Sequence, residues 1–248
     1  MSSVSVQEQC YPEIRFGGFS RVDGTVAFFT RVQALVRGAS FVADVGCGRG
    51  VRSEDTSAFR RQLADLRGSG RRVVGLDVSQ SAAGNPMIDS FRLIEPNAAW
   101  PLDDNSVDLL LSDYVLEHLE QPGSFFAEIS RVLKAGGYFC ARTPNRWGYV
   151  ALASRLLHST RHARVVTKVQ QSRKEEDVFE TFYRCNTAGK LNRLLRKAGM
   201  TGVVIPFESE PNYLAFNPLL YRSAAVLHRF LPDTVKANLF VFARKPPR

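Results

Sequence analysis

Apolar positions along this chain switch between a helical and an extended period, and the switches mark its elements. Val26, Phe29, Val32 and Val36 recur at helical spacing and predict a helix over 25–36 that stops at Arg37-Gly38. Phe41-Val-Ala-Asp-Val45 is a short, nearly continuous apolar run, the form of a strand covered on both faces, and it runs into Gly46-Cys-Gly-Arg-Gly50. Asp55-Thr-Ser57 supplies caps for a second helix whose Phe59, Leu63 and Leu66 share one side, and Gly68-Ser-Gly70 closes it. Arg72-Val-Val-Gly-Leu-Asp77 predicts a strand ending on an acid. The stretch 91–101, broken by Pro96 and Pro101, predicts irregular chain. Val107-Asp-Leu-Leu-Leu-Ser112 predicts a third strand. Pro122-Gly-Ser then opens a helix carrying Phe125, Ile129 and Val132, Lys134-Ala-Gly-Gly137 stops it, and Tyr138-Phe-Cys-Ala141 predicts another strand.

Between 146 and 190 the rhythm breaks. A helical stretch around Tyr149 to Leu157 is followed by basic chain to Lys174 and by the acidic Glu175-Glu-Asp177. Beyond it, Leu191, Leu194 and Leu195 predict a helix ending at Ala198-Gly199. Val203–Ile205 and Leu239–Phe242 predict two closing strands with a helix over 219–230 between them. Strands alternating with helices imply a doubly wound, mostly parallel α/β sheet. We expect one domain over 1–248, a length that supports one sizeable core. It divides into an N-terminal cap and helix (1–38), a core (39–145), an insertion or lid (146–190) and closing elements (191–248).

A composition of 44% hydrophobic and 23% charged residues excludes a disordered chain. The net charge of +9 is unevenly spread: residues 1–145 carry 15 Lys/Arg against 17 Asp/Glu, and 146–248 carry 18 against 7. Such a basic part suits a nucleic-acid face or the substrate side of an enzyme. Cys10, Cys47, Cys140 and Cys185 form no C-x-x-C pair, which argues against a disulfide framework and a zinc cage. Four histidines without H-E-x-x-H give no reason to expect a metal. No window approaches the ~18 uninterrupted apolar residues of a membrane span, and no basic stretch followed by an apolar run opens the chain, so a cytoplasmic protein is expected.

The strongest chemical signal is Asp44-Val-Gly-Cys-Gly-Arg-Gly50. Glycines beyond the carboxyl end of a parallel strand let the backbone approach a ligand closely. Val51 stands where a dinucleotide fingerprint wants its third glycine, and the Lys-Ser/Thr of a P-loop is missing. Asp77, at the tip of the next strand, suits a ribose diol. It lies 27 residues past Gly50, against the ~20 of a nicotinamide site. A tight turn and a helix cap are the purely structural alternatives.

Phe41–Gly50 resembles the first motif of class I S-adenosylmethionine-dependent methyltransferases, and Val74-Gly-Leu-Asp-Val-Ser79 their second. Trp100–His118 is similar to the segment running into their fourth strand, and Leu133-Lys-Ala-Gly-Gly-Tyr138 to the turn into the fifth. The resemblance implies a Rossmann-like, seven-stranded, mostly parallel sheet, with S-adenosylmethionine as cofactor and S-adenosylhomocysteine as product. It puts Gly46 and Gly48 on the methionine side, with Asp44 and Cys47 among the cofactor residues of the same loop. Asp77 would hold the ribose with Val78 beside it, Pro96-Asn97-Ala98 would flank the adenine, and Asp113 would sit near the reactive sulfonium. The usual acid before the adenine segment is represented only by a poorly aligned Glu95 or by Asn97, and the usual Lys-Pro-Gly-Gly is Lys-Ala-Gly-Gly. The lack of Asn/Asp-Pro-Pro-Tyr and of Pro-Cys argues against amino-base and cytosine-C5 methylation.

His118, just past Asp113, is a candidate base for a hydroxyl acceptor, or else a packing histidine. Tyr114, Asn145, Trp147, Tyr183 and Arg184 form the expected acceptor side or lid, or else a salt-bridged brace. Tyr11, Arg15 and Phe19 are candidates to cap the pocket. Residues 146–174 hold seven Arg/Lys and no acid beside apolar residues such as Trp147 and Leu156. They would meet an anionic substrate, a membrane surface or only water. The expected function is methyl transfer to a small or lipid-like metabolite, at oxygen. The rivals are carbon methylation, RNA methylation through the basic part, for which no RNA-binding module is visible, and a nicotinamide-dependent oxidoreductase.

Overall fold

In the computed structural model, which describes residues 5–149, 151 and 179–247, seven strands form one sheet. They are β1 (Phe41–Val45), β2 (Arg72–Asp77), β3 (Ser90–Leu93), β4 (Val107–Asp113), β5 (Leu133–Pro144), β6 (Thr201–Phe207) and β7 (Asn238–Arg244), in the order β3-β2-β1-β4-β5-β7-β6. β7 runs antiparallel to both β5 and β6, and the other pairings are parallel. Helices α1 (Val6–Cys10), α2 (Gly24–Leu35), α3 (Ala58–Ala64), α4 (Pro122–Val132), α5 (Ala188–Lys197) and α6 (Pro218–Leu227) complete the described elements.

Burial on both faces explains the continuous apolar strands. Ala43 and Val45 of β1 and Leu110 of β4 pack with Phe126 and Ile129 of α4 and with Leu191 and Leu195 of α5. Val42 of β1 and Leu109 and Leu111 of β4 pack on the other side, with Phe28, Phe29 and Val32 of α2. The side chains of these strands alternate between two helical layers, as pleating requires. Local chemistry sets the helix starts. Asp23 accepts from the N–H groups of Thr25 and Val26 at 2.9 Å, and Ser57 and Thr187 cap α3 and α5.

Two expectations change. The stretch 91–101 is not wholly irregular: Ser90–Leu93 is an edge strand parallel to β2, too short and too exposed for a period to show. Strand β5 begins at Leu133, within the expected turn, because a register shift between Val107 and Leu109 lets the turn join the ladder. Gly137 is required there, since a Cβ would lie 3.0–3.1 Å from the carbonyl oxygens of Lys134, Asp108 and Val107. Of the expected helix 149–157 only Tyr149 and Ala151 are described. That helix, the body of the lid and most of the basic run 146–174 lie outside the described residues. Among the described residues no helix is long and apolar enough to cross a membrane.

Asp108 ties the start of β1 to β4 and β5. Its carboxylate accepts from the N–H groups of Ser40 (3.0 Å) and Phe41 (2.9 Å) and from Lys134 Nζ (2.7 Å). Burial works upward on this carboxyl, but Lys134 and the two N–H donors outweigh it and hold it below the usual range. The contribution is therefore complete above the unfolded value of 3.8 and is lost as pH falls through the lower folded value. Asp108→Asn should cost about 1–2 kcal/mol at neutral pH and flatten the acid limb of stability. Urea midpoints measured against pH would show both effects.

Candidate cofactor and acceptor site

A cavity of about 580 Å³ opens at the carboxyl ends of β1, β2 and β4. Gly46 and Gly48 form its floor with φ of 72° and 55°. A Cβ on Gly46 would meet Val115 Cγ2 at 2.2 Å, whereas one on Gly48 would have nothing within 4 Å and would project into open space. Asp77 is buried on the cavity wall. Its Oδ2 accepts from Gly48 N (2.8 Å) and its Oδ1 from Ser79 N (2.9 Å), so the acid and the glycine loop are built as one unit. Each oxygen keeps a further lone pair for a ligand hydroxyl. Val78 lies beside it, and Asn97 and Ala98 line the wall next to Ile94 and Trp100. Asn97 holds φ at 62°, and its Oδ1 accepts from Ser124 Oγ at 3.0 Å.

Behind this wall, on the α2 side of the sheet, four charged side chains gather, three of them buried and Arg52 half-buried. Asp113 takes a forked pair of bonds from Arg142, at 2.8 and 2.9 Å, and lies 3.6 Å from Arg52 Nη1. Arg52 also pairs with Asp44. Burial disfavours the charge on Arg142, but Asp113 more than offsets it and holds the guanidinium protonated. Burial pushes the Asp44 carboxyl up while Arg52 pulls it back, and Asp44 Oδ1 has no hydrogen-bond partner among the described residues. Arg142 also donates to Thr25 Oγ1 (3.1 Å) and lies 4.7 Å from the Tyr114 ring centroid.

Tyr114 follows β4 directly with φ at 59°, lines the cavity and donates its hydroxyl to Asn238 Oδ1 (3.2 Å). A tyrosine in the left-handed region stores strain that its surroundings must hold, here Arg142 and Asn238. His118 and Glu117 stand beyond it on the same wall. Glu117 is buried: its Oε2 accepts from Thr143 Oγ1 (2.9 Å), and its carbonyl accepts from the N–H groups of Phe182 (2.8 Å) and Tyr183 (3.1 Å). His118 Nδ1 is 2.8 Å from the carbonyl oxygen of Glu180, and its ring meets Phe179 edge to face at 5.9 Å. Since a carbonyl only accepts, Nδ1 carries a proton, and Nε2 lies 3.9 Å from Glu117 Oε1. Phe179, Glu180 and Phe182 thus close one side of the cavity.

Residues 43–141 match a family described as a methyltransferase domain. A probable S-adenosylmethionine-dependent methyltransferase of Mycolicibacterium smegmatis is 35% identical over 111 residues, covering 42% of this chain and 38% of that protein. A ubiquinone biosynthesis O-methyltransferase of Burkholderia orbicola is 28% identical over 111 residues, 42% of this chain and 44% of that one. This chain therefore spans less than half the length of these curated relatives. A SAM-dependent methyltransferase from Archaeoglobus fulgidus, 15% identical, shares the fold with a TM-score of 0.56 over 94% of this chain and 97% of its own. Over residues 43–141 this chain is therefore similar to S-adenosylmethionine-dependent methyltransferases, and it shares their fold.

The residues present fit the cofactor of that family. The glycine floor leaves room that a Cβ at Gly48 would occupy, and Asp77 offers acceptors to a ribose diol.

Gly46, Gly48, Asp77, Val78, Asn97, Ala98, Tyr114 and His118 all line the cavity. Asp44, Cys47 and Asp113 do not, and strand pleating is the reason for the two acids. Asp44 shares the parity of Val42, and Asp113 that of Leu109 and Leu111, so both turn to the α2 layer. The Cys47 thiol packs against Gly75 and Asn85, and burial pushes it well up. On the lid side Asn145 is a brace that donates to the carbonyls of Thr234 and Lys236 (both 2.9 Å). Trp147 lies exposed under Arg146, and Tyr183 and Arg184 hold the chain around Phe182 without reaching the cavity. The expected N-terminal cap is elsewhere: Tyr11 packs with Tyr221, Phe19 stacks on Phe59 at 5.1 Å, and Arg15 is not a lining residue. Sequence reasoning missed Glu117, Ser124, Phe125, Phe179 and Phe182 as wall residues. Glu117 could have been found, since it precedes His118 in the quoted motif.

Proposed function

We propose that this methyltransferase moves a methyl group from S-adenosylmethionine to a hydroxyl of a small or lipid-like acceptor, with His118 as the base. The observation that carries the reading is that Asp77 and His118 stand on the walls of one cavity. When bound there, the cofactor supplies a methyl group already activated by its sulfonium charge. Asp77 anchors the ribose, and Gly46 and Gly48 let the backbone close on the amino-acid end. His118 Nε2 takes the hydroxyl proton as the oxygen–methyl bond forms, and the buried Glu117 carboxylate steadies the imidazolium until solvent removes the proton.

Two features support an apolar acceptor without negative charge. Phe125, Phe179, Phe182, Leu119 and Trp100 make much of the wall, and among the described residues lining the cavity none is Lys or Arg. The basic surplus therefore lies off the described wall, which weighs against an anionic or RNA acceptor at the reacting end. A relative's name, a ubiquinone biosynthesis O-methyltransferase, agrees with oxygen as the acceptor atom.

Isothermal calorimetry with S-adenosylmethionine and S-adenosylhomocysteine tests the cofactor, and a screen for products heavier by one methylene tests the acceptor. Absence of binding in a well-folded sample would overturn the reading. Asp77→Ala removes the charge-assisted bonds to the diol and should weaken S-adenosylhomocysteine on the order of 100-fold. Asp77→Asn, which keeps one acceptor oxygen, should fall between the two.

A further inference from the structure

Helix α6 is apolar on two opposite sides. Tyr221, Ala224 and Ala225 are buried and meet the N-terminal segment around Tyr11. The turn periodicity puts Leu219, Leu220, Val226, Leu227 and Phe230 on the far side, with Phe216 just before the helix. These are strongly exposed: Leu219 by 73%, Leu227 by 63% and Phe230 by 79%. A surface helix ordinarily turns charged residues outward, and an apolar stripe of this kind marks an interaction surface.

The charge around the stripe identifies its occupant. The 22 residues Pro211–Pro232 contain no Asp or Glu, and Arg222 and Arg229, two helical turns apart, border the stripe on one side. At the end of α6, His228 packs against Tyr149 at 5.2 Å between ring centroids, beside the start of the second acid-free, basic run of the sequence. Apolar side chains bordered by cations match an anionic lipid surface, where the former enter the acyl boundary and the latter meet headgroup phosphates. An antiparallel symmetric contact between two copies would instead bring the two cationic borders together.

The geometry points to α6 and its following turn as the element that seats this protein on an anionic bilayer. This goes beyond the proposed methyl transfer and does not depend on it, because vesicle binding is read without cofactor or acceptor.

The test is co-sedimentation of the full chain with vesicles of phosphatidylcholine alone and of an equimolar phosphatidylcholine–phosphatidylglycerol mixture. The protein should bind the mixed vesicles and not the neutral ones. Leu219→Ser/Leu227→Ser/Phe230→Ser should lower that binding on the order of 100-fold. Arg222→Gln/Arg229→Gln should lower it about 5-fold per arginine. All these positions are exposed, so both variants should retain the parent's melting temperature and S-adenosylhomocysteine affinity. No binding to mixed vesicles overturns the proposal, as does a triple variant that binds as well as the parent. A dimer that the triple variant dissociates, with no vesicle binding by the parent, also overturns it and assigns the stripe to a second copy.

Discussion

Replacing His118 with alanine should lower turnover by about 10²–10⁴-fold while leaving S-adenosylhomocysteine affinity unchanged. The split follows from where the ring stands. His118 lines the cavity beyond Tyr114, away from the Asp77–Gly48 unit proposed to hold the ribose, and no described hydrogen bond joins it to the glycine loop. Its Nδ1–H bond to the Glu180 carbonyl orients the ring, and Nε2 is the atom proposed to take the hydroxyl proton. With Glu117 close by, the proton-loaded ring is stabilised where it forms. The measurement is steady-state release of S-adenosylhomocysteine with the acceptor that the product screen identifies, beside calorimetry on the same samples. Parallel losses of rate and cofactor affinity would make His118 a structural residue. An unchanged rate would leave positioning of the acceptor as the whole of catalysis.

How much of this was legible in the sequence depended on burial. Strands β1, β2 and β4 are covered on both faces and read as apolar runs ending on Val45, Asp77 and Ser112, so the sheet and the position of its ligand end were visible. The four-residue edge strand β3 has no such signature, and Pro96 and Pro101 disguised it. In the site, the Asp77–glycine unit was visible because spacing and chemistry agreed. What motif matching cannot supply is the direction of a side chain. Asp44 and Asp113 lie next to cavity residues in the chain, yet pleating sends them to the opposite layer, where they pair with Arg52 and Arg142. Asn145 and Tyr183 are likewise near the site in sequence but bond to the main chain, an outcome set by loop geometry that no residue type announces. The positive φ of Tyr114 and Tyr183 belongs to the same class, since a non-glycine residue gives no hint of it.

The buried charge cluster should therefore behave as a foundation of the site. Arg142→Met keeps the length and the apolar contacts with Phe28 and Tyr114 but leaves Asp113 buried with Arg52 alone, at 3.6 Å. Breaking a buried pair from one side costs about 3–5 kcal/mol, because the remaining carboxylate stays desolvated. In a chain of this length that corresponds to a melting temperature lower by roughly 10 °C. Removing both partners, in Arg142→Met/Asp113→Leu, should recover most of the loss, since no uncompensated charge remains. The double variant should still bind cofactor more weakly than the parent, as Arg52 and Asp44 lose their neighbour and Tyr114 loses the guanidinium beneath its strained backbone. Thermal melts of the parent, both single variants and the double variant form a complete cycle. Additive losses across it would reduce Asp113–Arg142 to an incidental contact. A double variant as stable as the parent would show that the pair contributes no net energy and leave the geometry it imposes on the end of β4 as its role.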